Sequence, residues 1–374
     1  MERHREMAQS GKTKPTILIV EDEAGPRDAL RMILRPFFNL IAVDRAGLAL
    51  EMLREHPIDL VTLDLKLPDK QGVDLLQEIK AEYPDIEVII ITGYGSLKSA
   101  MEGIQYGAAG YLLKPFNVTE LISVVNQTLT KRRRLTALKQ FLASPSTQWT
   151  TDAEVAQNWK RLMQDYAGDR VPRADGASEM PDWTPLVFEL LEAKGRALFN
   201  HSSRVSFYAG MLGKAIGVTD EEQKTLAFGS FLHDIGMLAH EGPELEWPDD
   251  CRSDLRRHPE LGARMIAPLQ LPAEVGQIIS YHHERYDGTG SPFGLQGAGI
   301  PLLARIVHIA ETFDHLVSDT PALSTNEALE QIRSQAGIAF DPTLIEAFIK
   351  VMRAGEVVMP PVVPSMRPSA IRRA

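Results

Sequence analysis

Four short apolar runs in the first third of the chain each end in residues that carry chemistry, and this repeated pairing constrains the fold more than any other feature. ILIV (17–20) runs into Glu21, Asp22 and Glu23, LVTL (60–63) into Asp64, VIII (88–91) into Thr92, and AGYLL (109–113) into Lys114 and Pro115. Helical patterns lie between them: GPRDALRMILR (25–35) stops at Pro36 and AGLALEMLREH (46–56) at Pro57, because proline cannot continue a helix. Short β-rich runs alternating with amphipathic helices predict an α/β doubly wound parallel sheet with helices on both faces. In such sheets functional groups gather at the carboxyl ends of the strands. Glu21, Asp22 and Asp64 would then meet at one edge as hard oxygen donors suited to Mg²⁺, with Thr92 and Lys114 beside them for a phosphoryl group. Acidic residues after strands also cap helices, but capping does not explain the whole set at successive strand ends.

The second half has a different chemistry. Of ten histidines, eight lie between His201 and His315. Its pattern is helical from about 183 to 354: 199–217 carries His201, 219–236 carries His233 and Asp234, 251–266 carries His258, 274–284 carries His282 and His283, and 301–316 carries Glu311. Thr219 and Glu222 have the spacing of a capping box. Neutral imidazole with carboxylate suits Zn, Fe, Mn or Co. Neighbouring residues on a helix point about 100 degrees apart, so His233-Asp234 and His282-His283 could each serve two adjacent ions. Two ions a few ångströms apart suit phosphodiester hydrolysis, lowering the pKa of a shared water and stabilising developing charge. A lone histidine on an apolar face is more often a hydrogen-bonded core residue; five histidines and two carboxylates on five successive helices argue for metal.

A net charge of -10 argues against a phosphate-backbone binder. The basic run Lys131–Arg134 reads as a solvated helix end. No run approaches the roughly 20 apolar residues of a membrane span. The single cysteine, Cys251, fits a reducing compartment. A cytoplasmic protein without direct nucleic-acid or membrane binding is the expectation. Asn117 and Glu120 open a helical pattern that continues through Leu135, Leu138 and Leu142. That stripe would either pack on its own domain or pair with another chain as a homodimer. The stretches 143–151 and 168–183 are rich in turn formers and read as linker.

VEDE, LDLKLPDKQG, ITGYGS and YLLKPF together resemble the receiver domain of two-component response regulators, over residues 14–134. The resemblance implies a flavodoxin-like fold, Asp64 as phosphoacceptor, Glu21, Asp22 and Asp64 as the Mg site, and Thr92, Tyr111 and Lys114 as switch residues. The family more often has aspartate where Glu21 stands; glutamate keeps the charge and adds a methylene. Phosphorylation would add about -1.5 to -2 charges at an acidic face, enough to bias a two-state loop and helix.

HSSRV, LHDIG, RRHPELGARMI and HHERYDGTGSPFGLQGAGIPLLARIVHIAETFDHL resemble the HD-GYP family within the HD superfamily of metal-dependent phosphohydrolases. The helical pattern sets this domain at 183–354, with 135–182 read as a helical connector and linker and the Pro-rich 355–374 as a disordered tail; the resemblance covers most of 195–325 and implies an all-α domain. It implies two transition-metal ions, iron or manganese, held by His201, His233, Asp234, His258, His282, His283 and Glu311, with His233 and Asp234 catalytic through a metal-activated water. The substrate implied is cyclic di-GMP. The partners implied are a cognate sensor histidine kinase and diguanylate cyclase-type signalling proteins.

Several positions depart from the family pattern. Ser291 stands for the tyrosine of the name motif, Met237 for a phosphate-contacting lysine, Glu311 for an aspartate, and Ala197 for the glutamate of trinuclear members, which favours two metals over three. The Arg-Pro-Tyr-Arg stretch reads Thr320-Pro321-Ala322-Leu323, and His240, His308 and His315 are additional. His315 could assist at the site or lie in a supporting or surface position. Without a charge-assisted hydrogen bond to a phosphate, binding should weaken by about 1.5–3 kcal/mol for each such bond. Three functions compete: a phosphorylation-controlled cyclic di-GMP phosphodiesterase, a catalytically weak metal-held sensor or scaffold, and a hydrolase of another phosphoester.

Overall fold

In the computed structural model the chain is described over residues 14–93, 103, 106–167, 184–239, 257–319 and 321–354. His4, His240, Cys251, Thr320, the stretch 168–183 and the tail from 355 lie outside those residues. Two compact units divide at Arg134 and Leu135, the second running to Val358.

In the first unit the strands are β1 (Thr16–Val20), β2 (Asn39–Val43), β3 (Leu60–Leu63), β4 (Glu87–Thr92) and β5 (Gly110–Leu113). They form one parallel sheet in the order β2-β1-β3-β4-β5. Helices α1 (Ala24–Leu34), α2 (Ala46–Glu55), α3 (Gly72–Glu82) and α4 (Val118–Leu142) complete it. Alternation along β1 explains its fully apolar sequence. Ile17 and Ile19 belong to a core layer with Leu30, Leu34 and Leu121, while Leu18 and Val20 belong to one with Ala49, Leu75 and Ile79. The order reverses between β1 and β3, so the loops after those strands diverge and leave a crevice at their carboxyl ends.

Helix α4 runs on past Arg134 to Leu142. The basic run is therefore inside the helix and not at its end: Arg132 donates to the Asp85 carbonyl at 3.0 Å and pairs with Asp59. Asn117 accepts the Thr119 N–H at 2.8 Å at the helix start.

The second unit is helical. α5 (Asp152–Ala167), α6 (Thr184–Lys194), α7 (Arg196–Ile216), α8 (Asp220–Leu232), α9 (His258–Ile266), α10 (Ala273–Tyr281), α11 (Leu302–Ser318), α12 (Thr325–Ser334) and α13 (Pro342–Ala354) follow in order. α7 packs on α8, α11 and α13, and α8 also packs on α10. Residues 143–151, expected as linker, form neither helix nor strand and hold Trp149, 2% exposed and edge-on to Trp159. Trp159 donates its indole N–H to the Met265 carbonyl at 2.6 Å, tying α5 to α9. Leu138 is buried in the same apolar cluster, with Leu135, Phe141 and Leu142 packed against it. The end of that stripe, Leu135, Leu138 and Leu142, thus packs into the apolar cluster of the second unit.

The capping box at α8 is present: Thr219 accepts from Glu222 N–H while Glu222 accepts from Thr219 N–H. The helix pattern read over 219–236 nevertheless stops at Leu232, and a short 3-10 turn (Ile235–Ala239) follows. Gly236 shows why. A Cβ there would lie 2.0 Å from the His258 carbonyl oxygen, so the turn packs directly on the backbone that opens α9.

Candidate functional site

Two groups of side chains converge, one in each unit. In the first, Glu21, Asp22 and Asp64 offer oxygens within 4.8 Å of one another. Lys114 Nζ lies 2.5 Å from Glu21 Oε2 and 2.5 Å from Asp64 Oδ2, and the Thr92 hydroxyl donates to Asp64 Oδ1 at 2.9 Å. Burial raises the Glu21 pKa, with Lys114 pulling the other way. Burial works against the Lys114 ammonium, but its bonds to Asp64 and Glu21 outweigh it and its pKa is raised. Glu21 Oε1 is buried without a hydrogen-bond partner. A hard divalent cation fits that orphaned oxygen and an all-carboxylate donor set. Tyr111, on β5, is half-buried against the layer formed with α2 and α3.

In the second unit Asp234 is the central residue, 1% exposed. Its Oδ2 lies 3.4 Å from His233 Nε2 and 3.6 Å from His201 Nε2, and those two nitrogens are 3.3 Å apart. Its Oδ1 lies 3.0 Å from His258 Nε2 and 3.9 Å from His282 Nε2, and those nitrogens are 3.0 Å apart. Donors sharing one ion through bonds of about 2.1 Å stand about 3.0–3.4 Å apart. One carboxylate thus faces two pairs of ring nitrogens, each at the spacing of a shared ion. His283 joins the second pair and lies 3.7 Å from Glu311 Oε1. The helices set this up: His201 is inside α7, His258 opens α9, His233 and His282 cap α8 and α10, and Glu311 is inside α11.

The protonation states suit ligands. Burial lowers the His233 pKa to about 4, with Asp234 opposing. Burial, then the neighbouring imidazoles, holds His282 and His283 well below the usual range. Neutral rings present lone pairs. Burial opposes the Asp234 carboxylate, but His233, His258 and His201 outweigh it and its pKa falls well below normal. Glu311 is pushed well above normal by burial and then by Asp234. Both Asp234 oxygens and Glu311 Oε2 are buried without a hydrogen bond. Such unsatisfied carboxylate oxygens beside neutral imidazoles are costly unless a cation takes them, so the residues fit a metal pair.

Residues 17–126 match the family model for the response regulator receiver domain, and residues 185–344 match that for an HD domain. The chain joins a response regulator receiver domain to an HD domain. It is 28% identical over 348 residues to the cyclic di-GMP phosphodiesterase response regulator RpfG of Xanthomonas campestris pv. campestris, covering 89% of this chain and 87% of that one. A cyclic di-GMP phosphodiesterase of Thermotoga maritima is 26% identical over 350 residues, covering 90% of each chain. The solved receiver domain protein of Methanospirillum hungatei is 29% identical, covering 32% of this chain and 98% of that chain with a TM-score of 0.32.

Sequence reasoning about the HD domain missed the residues that hold its rings. His201 Nδ1–H donates to Asp314 at 2.8 Å, and Arg204 grips the same carboxylate at 2.6 and 2.8 Å. His233 and His282 engage the carbonyls of Ser230 at 2.6 Å and Ile279 at 2.8 Å. Each of these bonds keeps the proton on Nδ1 and turns Nε2 to the centre. Arg204 and Asp314 sit at three-residue steps from His201 and Glu311 on their own helices, a signal that spacing could have exposed.

The glycine-rich loop after His283 is held from beneath. Glu284, 1% exposed, accepts the N–H groups of Phe293 at 2.7 Å and Leu295 at 3.0 Å. Gly290 packs on that segment so closely that a Cβ would lie 2.2 Å from Arg285 N. Ser291 donates its N–H to the His283 carbonyl at 3.3 Å. His308 does not join the centre. Its ring lies edge-on to Phe340 and bonds the Glu284 backbone, while desolvation lowers its pKa to about 4. Met237, 2% exposed, belongs to the apolar core with Leu232 and Met265. Ala197 is exposed near the start of α7. No described helix is long and apolar enough to cross a membrane.

Proposed function

We propose that the chain is a cytoplasmic response regulator whose HD domain hydrolyses cyclic di-GMP on two transition-metal ions, under control of phosphorylation at Asp64. The observation that carries this reading is Asp234, whose two oxygens face the His201/His233 and His258/His282 pairs. The names of relatives whose length this chain covers to 87% and 90% support the substrate.

The residues that would hold the ions are His201, His233, Asp234, His258, His282, His283 and Glu311. Imidazole and carboxylate without thiolate suit Fe or Mn. Bound metal supplies Lewis-acid stabilisation of phosphoryl oxygens and of an attacking water. The chain's own part is positional: Asp314 and Arg204 orient His201, the carbonyls of Ser230 and Ile279 orient His233 and His282, and Glu284 fixes the loop beside His283. In the receiver domain Asp64 would take the phosphoryl group from a sensor histidine kinase. Mg²⁺ would sit on Glu21, Asp22 and Asp64, with Thr92 and Lys114 placed to contact the transferred phosphoryl and Tyr111 following the change.

Turnover decides the matter. Protein loaded anaerobically with Fe²⁺ or with Mn²⁺ is expected to hydrolyse cyclic di-GMP, and a His233→Ala, Asp234→Ala variant to do nothing. Full metal occupancy without turnover would sink the phosphodiesterase reading. A second reading, a metal-held cyclic di-GMP sensor or scaffold with weak or atypical turnover, is favoured by Met237. Its side chain is apolar and lies in the core, so it offers a phosphate no cation.

A further inference from the structure

His315 stands outside the ligand set above, yet its ring is placed as the ligand rings are. It stacks on His201 with ring centroids 4.7 Å apart, and its Nε2 lies 3.9 Å from Glu311 Oε1. On the far side Nδ1 lies 3.0 Å from Asp319 Oδ2. That carboxylate keeps a proton on Nδ1 and leaves Nε2 to face Glu311, the same device that Asp314 supplies to His201 at 2.8 Å. The donor atoms of His201, Glu311 and His315 lie within 4.8 Å of one another. Glu311, 4% exposed, also keeps Oε2 buried and without a hydrogen bond.

Two triplets of donors share His201: one with His233 and Asp234, the other with Glu311 and His315. With Nδ1 bonded to Asp314, His201 has one lone pair to offer, on Nε2, so the two triplets can be filled together only around a single ion. Opposite ligands of one ion stand about 4.2 Å apart, twice a bond of about 2.1 Å. The 3.9 Å between His315 and Glu311 falls inside that span. We propose that His315 is a protein ligand of the ion held by His201 and His233. Each ion then has three imidazoles, His201, His233 and His315 on one side and His258, His282 and His283 on the other, with Asp234 between them. The inference rests on the two-ion reading of the HD domain. A third imidazole occupies a position that would otherwise be open to water or substrate on the first ion.

The test is Mn²⁺ titration of the full-length, metal-free protein, with ions per chain counted by equilibrium dialysis and coupled pairs followed by electron paramagnetic resonance. Wild type is expected to take two ions and give a coupled-pair spectrum. His315→Ala should weaken one ion by at least about 10-fold, leave the other unchanged, and lose the coupled signal at sub-saturating Mn²⁺. Asp319→Asn should weaken the same ion less. His315→Gln, which keeps a polar side chain of similar length, carries the test if the alanine variant fails to fold. Two ions bound by folded His315→Ala or His315→Gln with wild-type affinity would overturn the inference and leave His315 as an ion-pair partner of Glu311 and Asp319. A wild-type chain that binds fewer than two ions would overturn the two-ion reading itself, and this inference with it.

Discussion

His201 Nδ1 and Asp314 Oδ2 are 2.8 Å apart, both are buried, and that bond decides which nitrogen of His201 faces the metal centre. Asparagine at 314 would offer either an amide N–H or a weaker acceptor, and Arg204 would lose half of its two-point grip. Asp314→Asn is therefore expected to reduce metal affinity roughly 10–100-fold without unfolding the domain. Metal titration alongside circular dichroism checks both parts.

At the receiver end, Asp64 accepts from Thr92 and Lys114 and lies among the Mg-suited oxygens. Asp64→Asn removes the carboxylate proposed as phosphoacceptor and should abolish labelling by acetyl phosphate with Mg²⁺ present. Thr92→Ala leaves that carboxylate and should only slow labelling. A phosphate-affinity gel reads both, and labelling of the Asp64 variant equal to wild type would move the phosphoacceptor elsewhere.

Trp159 ties α5 to α9 through one buried hydrogen bond to the Met265 carbonyl. Trp159→Phe keeps most of the apolar volume but leaves that carbonyl unpaired, a loss of about 1–3 kcal/mol. Calorimetry should show the HD-domain transition at lower temperature while the receiver transition stays in place.

Three buried histidines of the metal-free chain should make opposite contributions to stability on the two sides of pH 6.5. His233 and His308 have pKa values lowered to about 4, against 6.5 for the free side chain. Between those values these two side chains bind more protons when unfolded, so their contribution to stability rises with pH from about 4 to 6.5, against the raised carboxyls of Glu311 and Glu21. His315 is the opposite case. Burial opposes its charge, but Asp319 and Glu311 raise its pKa to about 9. The folded chain then binds more protons, and stability declines as pH rises from 6.5 to about 9. Thermal midpoints across this range check both arms, and His308→Gln should flatten the acidic one.

Much of this protein is determined by sequence that acts locally. β1 and β3 are apolar at nearly every position because both faces of a parallel sheet are covered, and the acidic, hydroxyl and ammonium residues at strand ends follow from where such strands stop. The capping box at Thr219 and the gathering of metal-suited side chains on successive helices were likewise legible, since spacing and residue type suffice for them. What composition did not show is which neighbours are distant. Residues 143–151 form neither helix nor strand, as a connecting segment does, yet Trp149 within them is buried in one apolar cluster with residues of α5, α6 and α9. Lys131–Arg134 reads as a helix end by charge, yet Leu138 continues the helix into an apolar core. His308 and His315 share one helix face by spacing, and only tertiary packing separates them. Phe340 and the Glu284 backbone enclose the first, while His201 and Glu311 flank the second. Sequence supplied the donor types; the tertiary structure decided which lone pairs point at one another. The carbonyls of Ser230 and Ile279 and the Asp319 carboxylate lie within about one helical turn of His233, His282 and His315, but Asp314 reaches His201 from another helix, and which rings then meet depends on how the helices pack.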